Sequence, residues 1–233
     1  MKFTFYGHST FVIEEGGVRL LFDPFISGNP KAAGISPDTI QADYILITHG
    51  HGDHIADAAP IANNTGATCI SSYEIINWLG AQGVKNGHPM NLGGKWNFDF
   101  GTVKQVNALH SSSFPDGSYA GPASGFIVQM AGKTFYFAGD TALMDDMKRW
   151  GDTYNFDFVI LPVGDNFTMG YEDAAVAAEW LQTKKVIGVH FDTFPYVEID
   201  HDAARKAFSD RGVNLILPEV GQTLELNGTQ ARR

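Results

Sequence analysis

Short apolar runs broken by glycine-bearing turns dominate the chain. Residues 3–6, 11–14 and 18–22 are rich in Phe, Val, Ile and Leu and are separated by turns such as Glu15-Gly16-Gly17, the pattern of an antiparallel meander. The third run ends in Asp23-Pro24-Phe25. Residues 26–43 then mix glycines and prolines with polar groups, which predicts a long loop of the kind that often carries function. Tyr44-Ile45-Leu46-Ile47 is too short for a helix and continuously apolar, so it reads as a strand buried on both faces. Runs at 103–109, 133–138, 158–163 and 186–189 predict further strands, and 213–226 one or two closing ones. Helical spacing is present at 72–82 (Ile75, Ile76, Leu79), at 142–150 (Leu143, Met147, Trp150) and at 171–183, where Glu172 and Asp173 fall in a first turn that favours carboxylates. Asp200 is placed to cap a helix over 201–211 that Gly212 ends. No linker or sequence repeat interrupts this order. The expected organisation is one domain, 1–233, of α+β class, with sheets packed together and helices outside.

Composition narrows the function classes. A chain of 233 residues with 44% hydrophobic content is long enough for a real core. Its formal charge of −10 argues against the clustered cations of a nucleic-acid face. Cys69 is the only cysteine, so no intrachain disulfide forms and a reducing compartment fits; the residue itself reads as a small buried strand position. The start, Met1 to His8, lacks the apolar stretch of a signal peptide, and no run approaches membrane-spanning length. A cytoplasmic location without a membrane partner is therefore expected, and the pattern is compatible with a monomer or a homo-oligomer.

The chemistry concentrates in Thr48-His49-Gly50-His51-Gly52-Asp53-His54, where four metal-binding side chains fall within six residues. Neutral imidazoles donate lone pairs at neutral pH, and a carboxylate adds charge that suits a divalent cation. His49 and His51, two apart, converge on one ion if the backbone is extended, whereas the adjacent Asp53 and His54 point elsewhere, so the loop reads as a two-metal loop. Gly50 and Gly52 are expected to supply backbone freedom and room beside the main chain. The same arrangement recurs along the chain: 103–109 runs into His110, 133–138 into Gly139-Asp140-Thr141, 186–189 into His190, and 158–163 into Gly164-Asp165-Asn166. Strand ends at one sheet edge bring such distant residues together.

These residues resemble the metallo-β-lactamase superfamily, whose fold is a four-layer αβ/βα sandwich of two mixed β-sheets flanked by helices. The superfamily order of His-x-His-x-Asp-His, His, Asp and His is matched by His49, His51, Asp53, His54, His110, Asp140 and His190. Within the superfamily, Tyr6-Gly7-His8-Ser9-Thr10-Phe11, Asp23-Pro24-Phe25, Ala138-Gly139-Asp140-Thr141 and Gly164-Asp165-Asn166-Phe167-Thr168-Met169-Gly170 resemble the UPF0173 metal-dependent hydrolases, relatives of the UlaG-like lactonases. The resemblance implies His49, His51 and His110 on one divalent ion, Asp53, His54 and His190 on a second, and Asp140 bridging. Zinc is the first expectation for both ions, with Mn, Ni or Fe as alternatives. Aspartate rather than cysteine at 140 is similar to phosphodiesterases, lactonases and thioesterases, so antibiotic hydrolysis is not the expected task.

The implied activity is hydrolysis of an ester-type bond (lactone, phosphodiester or thioester) by a hydroxide held between two ions, with Asp53 and Asp140 as the catalytic carboxylates and a small molecule as substrate. Asp23 is expected to orient a ligand histidine, and His8 to contact substrate or a ligand. Asp165 and Asn166 either bind substrate or stabilise their turn. Phe25, Tyr119, Phe167, Met169 and Phe194 are candidate pocket walls, while His88 and His201 are expected to face solvent. Loops 23–43, 110–125, 163–171 and 190–199 contain one basic residue, Lys31, which weighs against a phosphosugar. Two other classes compete. A metal-dependent binding or regulatory protein would be expected to have lost ligands, and a flavodiiron-like oxidoreductase to carry Glu in place of His51 and a flavodoxin domain.

Overall fold

A computed structural model describes residues 1–226; residues 227–233, the end of the expected 1–233 domain, lie outside the described residues. Two seven-stranded sheets are formed. The first runs β14 (Thr223–Glu225), β1 (Lys2–Gly7), β2 (Thr10–Glu15), β3 (Val18–Phe22), β4 (Tyr44–Leu46), β5 (Thr68–Ser72) and β6 (Gly87–Met90). The second runs β13 (Asn214–Ile216), β12 (Lys185–Val189), β11 (Phe158–Pro162), β10 (Lys133–Phe137), β9 (Ser124–Met130), β8 (Gly101–Asn107) and β7 (Lys95–Phe98).

The two sheets repeat one topology. β1, β2 and β3 pair antiparallel, and β4, β5 and β6 then each add in parallel. β8, β9 and β10 likewise pair antiparallel, followed by β11, β12 and β13 in parallel. Parallel neighbours need crossover connections, and helices supply most of them: α2 (Ala58–Thr65) and α3 (Tyr73–Ala81) on the first sheet, and α4 (Asp146–Thr153), α5 (Tyr171–Trp180) and α6 (His201–Ser209) on the second.

Side-chain alternation builds the layers. On β2 and β3, Phe11, Ile13, Leu20 and Phe22 enter the core between the sheets, whereas Val12 and Leu21 join the cluster under α2 and α3. Across the sheets, Phe11 meets Phe137 edge-on at 5.0 Å and Phe22 meets the same ring at 5.6 Å. All three are fully buried. On the second sheet's outer face, Tyr136 packs on Trp150 of α4 at 5.2 Å, and α5 buries Ala174, Ala175, Ala177 and Ala178. The four-layer sandwich expected from the sequence is thus the observed fold. Cys69 is buried on β5, and burial pushes its thiol up to about 12.

Two of the boundaries that differ from expectation bear on the loops at the sheet edge. The helix expected over 142–150 begins at Asp146, because residues 141–142 are committed to a clamp. Thr141 Oγ1 accepts from Leu109 N–H at 3.0 Å, Ala142 N–H donates to Leu109 O at 3.2 Å, and Met169 N–H donates to Thr141 O at 2.9 Å. The strand expected to reach Leu109 ends at Asn107, which leaves His110 on a loop. The helix after Asp200 forms as expected, with Asp200 Oδ1 accepting from the amides of Asp202 and Ala203 at 3.0 Å each.

Candidate metal centre

The parallel strands deliver the donors. Asp23 follows β3, His49 follows β4, Asp140 follows β10 and His190 follows β12. His51 caps α1 (Gly52–Ile55), a single turn that carries Asp53 and His54. His110 comes from the loop after β8.

Two groups of donors have their ligand atoms within 4.8 Å of one another, His49, His51 and His110, and His8, Asp53, His54 and His190; a third such group, Asp23, His49 and His54, links them from behind. Asp140 lies between the first two. Its Oδ2 is 3.0 Å from His190 Nε2, 3.3 Å from His54 Nε2, 3.7 Å from His110 Nε2 and 4.0 Å from His49 Nε2. One carboxylate oxygen therefore faces imidazoles of both groups. In the first group His49 Nε2 and His51 Nδ1 are 3.0 Å apart.

A buried hydrogen-bond relay orients these rings. His54 Nδ1–H donates to Asp23 Oδ2 at 2.8 Å, leaving Nε2 to face the cluster. Thr48 N–H donates to Asp23 Oδ1 at 2.8 Å, and Thr48 Oγ1–H to Asp23 Oδ2 at 2.7 Å. With its proton so used, Thr48 Oγ1 accepts from His49 Nδ1 at 3.0 Å, which frees His49 Nε2. Asp23 thus reaches both groups, directly and through Thr48. The bond from a histidine ring to Asp23 is the contact expected of it, whereas Thr48 carries no signal in the sequence, because a threonine before a histidine looks like any strand residue.

Electrostatics favour a cation here. Burial, followed by repulsion from His54, holds His49 well below the ordinary imidazole range, and burial likewise lowers His51 and His110. Burial and the neighbouring His190 take His8 down to about 4. Burial opposes ionisation of Asp140 and Asp53, but His190 and His54 hold Asp140, and His54 and His8 hold Asp53, below the usual carboxylate range. Burial also opposes charge on His54, yet Asp140 and Asp53 push it well up, and burial raises Asp23. His8, His49, His51 and His110 are thus held toward their neutral, lone-pair-donating forms, while Asp53 and Asp140 are held anionic with His54 as their nearest cationic partner. His54 Nε2 and Asp140 Oδ1 are also buried without a hydrogen-bond partner. Orphaned donor atoms of this type at a convergence of imidazoles fit divalent metal ions.

Backbone strain gathers at the same place. His8, Asp23, Asp165, Asn166, His190 and Asp192 all have left-handed φ angles of +40° to +61°. Such conformations cost non-glycine residues energy and persist where surrounding structure enforces them. Gly50, by contrast, is absent from the positive-φ residues. A Cβ on it would run into Ala120 Cβ and lie 3.2 Å from Ser113 O, so this glycine admits the 112–120 loop rather than an unusual backbone angle. Gly52 has only Pro115 Cγ nearby, at 3.9 Å.

Asp165 and Asn166 are exposed at the tip of the 164–170 turn, where Asp165 N–H donates to Met169 O at 3.1 Å. Of the expected pocket walls, Phe25 and Phe194 pack edge-on against His8 at 5.8 and 5.5 Å, Phe167 pairs with Tyr196 at 6.1 Å, Tyr119 is exposed and Met169 is buried. His88 is half-buried beside Phe98 at 4.8 Å rather than in open solvent. His201 is partly exposed and bonds Asp192 Oδ2 through Nε2 at 2.6 Å.

The family described as Beta-lactamase superfamily domain matches residues 2–190, and this defines the class of protein. UPF0173 metal-dependent hydrolases from Flavobacterium johnsoniae and Methylacidiphilum infernorum are 51% and 52% identical over 226 residues, covering 97% of this chain and 100% of each relative. Among solved structures, Igni18, a metallo hydrolase from the archaeon Ignicoccus hospitalis, superposes with a TM-score of 0.86 at 33% identity, over 96% of this chain and 97% of that one. The chain belongs to the UPF0173 metal-dependent hydrolases of this superfamily, and it is a metal-dependent hydrolase.

Proposed function

We propose that the chain hydrolyses an ester-type bond of a small, neutral or singly anionic molecule at a centre for two divalent ions. The observation that carries this reading is the position of Asp140 Oδ2, within 4.0 Å of ring nitrogens from both donor groups. His49, His51 and His110 would hold one ion and Asp53, His54 and His190 the other, with Asp140 placed to serve both. Zinc is the first candidate, with Mn, Ni and Fe compatible with the same imidazole and carboxylate donors. When bound, the two ions supply Lewis acidity, which acidifies water near neutral pH and polarises the oxygen of the bond to be cut.

The chain's own residues position and select. Asp23 and Thr48 hold His54 and His49 with Nε2 toward the centre, and Asp53 sits at the half-open side, where it is placed to move a proton as well as to bind metal. Phe25 and Phe194 exclude water beside His8. The exposed Phe167–Tyr196 pair stands on two of the surrounding loops and offers apolar surface to an acyl or leaving group. Asp165 and Asn166, held at left-handed φ beside Phe167, are the candidates to bond the substrate's polar atoms. Lys31 is the single basic residue of the four site loops, so a phosphate would have to be met by the metals alone.

The test is a panel of lactones, phosphodiesters and thioesters on protein reconstituted separately with Zn, Mn, Ni and Fe. Turnover of at least one class is expected, at the cost of about a hundredfold or more in the Asp140→Ala variant together with loss of bound metal. An Asp140→Ala protein that keeps two ions and full turnover would sink the assignment. Full metal occupancy with no hydrolysis of any class would favour a binding or regulatory role.

A further inference from the structure

His8 is the one member of the second donor group that the seven-ligand pattern does not include. Its two ring nitrogens have different neighbours. Nδ1 is 2.9 Å from Thr193 Oγ1, and Nε2 is 3.0 Å from Asp53 Oδ2. Thr193 Oγ1–H donates to Phe191 O at 3.3 Å, so the same oxygen is left to accept from His8 Nδ1–H. A neutral imidazole protonated at Nδ1 has a bare lone pair at Nε2. In that tautomer the lone pair faces a carboxylate oxygen 3.0 Å away, and a cation between the two atoms satisfies both; in the other tautomer Nε2–H would donate to Asp53 instead.

The spacing matches the rest of the centre. His49 Nε2 and His51 Nδ1 are 3.0 Å apart, as are His190 Nε2 and Asp140 Oδ2. Two donor atoms each bound at about 2.1 Å to one ion, roughly at right angles, lie about 3 Å apart. The outer nitrogen also follows the local rule: His54 and His49 give Nδ1–H to an oxygen, of Asp23 and of Thr48, and His8 gives its own to Thr193. The backbone is built for this placement. β1 breaks register between Phe5 and Gly7, His8 is held at φ +56°, and its carbonyl accepts from His190 N–H at 2.7 Å. Strain of this kind is hard to account for if the ring were only filling space.

From this geometry we infer that His8 is an eighth protein ligand of the centre, binding the second ion through Nε2. The inference rests on the two-ion reading above. It makes the two positions unequal. The second has five protein donors, His8, Asp53, His54, His190 and Asp140, and suits an ion that accepts six-fold coordination, such as Mn, Fe or Ni. The first has three imidazoles and Asp140, the smaller set typical of zinc.

The experiment pairs metal titration with histidine NMR. Metal-free wild type, His8→Gln and His8→Ala are titrated with Co²⁺ and with Zn²⁺. The ¹⁵N-histidine spectrum of the Zn-loaded wild type then assigns the tautomer of His8. Two equivalents are expected for wild type, with His8 protonated at Nδ1 and metal-shifted at Nε2. Glutamine can offer Asp53 the N–H that an unligated His8 would give but is a poor ligand, so in His8→Gln the dissociation constant of the second ion is expected to rise by more than about a hundredfold, beyond the 10–100-fold typical of an outer partner. Two equivalents bound with His8 protonated at Nε2, or wild-type affinity in His8→Gln, would overturn ligation by His8 and leave the two-ion reading intact. A single equivalent bound by wild type would overturn both. The wild-type spectrum decides even if the variants fail to fold.

Discussion

Thr48 links the two halves of the donor set through a single hydroxyl. Its Oγ1 donates to Asp23 and accepts from His49, and its carbonyl accepts both the amide and the hydroxyl of Ser124, at 3.0 and 2.8 Å. The methyl that Thr48→Val puts in place of this hydroxyl is nearly isosteric, so packing is retained while the tautomer of His49 is released. The expected outcome is a 10–100-fold loss of affinity for the ion held by His49, with recovery in Thr48→Ser. Competition with a chromophoric chelator measures it. Wild-type affinity in Thr48→Val would show that the ring is oriented by packing alone. His190 presents the opposite case: its Nδ1 is buried without a partner, and its orientation is set by the backbone bond to His8 and by Asp140.

At the scale of elements, the ligand loops are positioned by close approach. The 112–120 loop, which follows His110, lies against the His49–His51 turn at Gly50, where Gly50 N–H donates to Ser112 Oγ at 3.2 Å. Because a Cβ at Gly50 collides with that of Ala120, Gly50→Ala is expected to push the loop outward and weaken the His49, His51 and His110 group. The double variant Gly50→Ala, Ala120→Gly is expected to restore most of the lost metal affinity, and a stability and metal-binding cycle over the four proteins checks it. Purely additive losses would show that Gly50 serves some other purpose. The reason for this glycine was not legible in the sequence, since the loop it admits lies some 60 residues away and spacing cannot report such contacts. The proposed ligands were legible because each follows or interrupts a readable apolar run. β4, β10 and β12 are buried and nearly continuous in apolar residues. Four strands have no counterpart among the predicted runs: β6 contains Pro89 and β7 is largely exposed, which weakens their signal, whereas β5 and β9 are buried and β9 carries the apolar run Phe126-Ile127-Val128. In α2, Pro60 and two asparagines dilute the helical pattern. His8 and Thr193, brought together across 185 residues, were beyond any local pattern.

The whole molecule is a topology used twice, with the centre where the two uses meet. β3, β4 and β5 correspond in order to β10, β11 and β12, so Asp23 and Asp140 occupy equivalent ends of the two sheets, one orienting ligands and the other facing both donor groups. Sequence comparison within the chain does not show this, because a repeated fold needs only a repeated order of buried strands, and side chains at the edge have diverged into different roles. His49, His51, Asp53 and His54 come from the first half, and His110, Asp140 and His190 from the second. Ions bound as proposed would therefore tie the two sheets together and relieve the repulsion between Asp53 and Asp140. An ion present at a thousandfold excess over its dissociation constant stabilises the folded state by about 4 kcal/mol. In a chain of this size each kcal/mol shifts the melting temperature by roughly 2–4 °C. Exhaustive chelation is thus expected to lower Tm by about 10 °C or more, and to do so in one cooperative step, because the centre spans both sheets. Calorimetry of the loaded and chelated protein, with metal content measured on the same samples, decides it. A chelated protein that is free of metal but melts at the original temperature would show that the centre is preformed by packing and that the ions contribute chemistry without tying the halves.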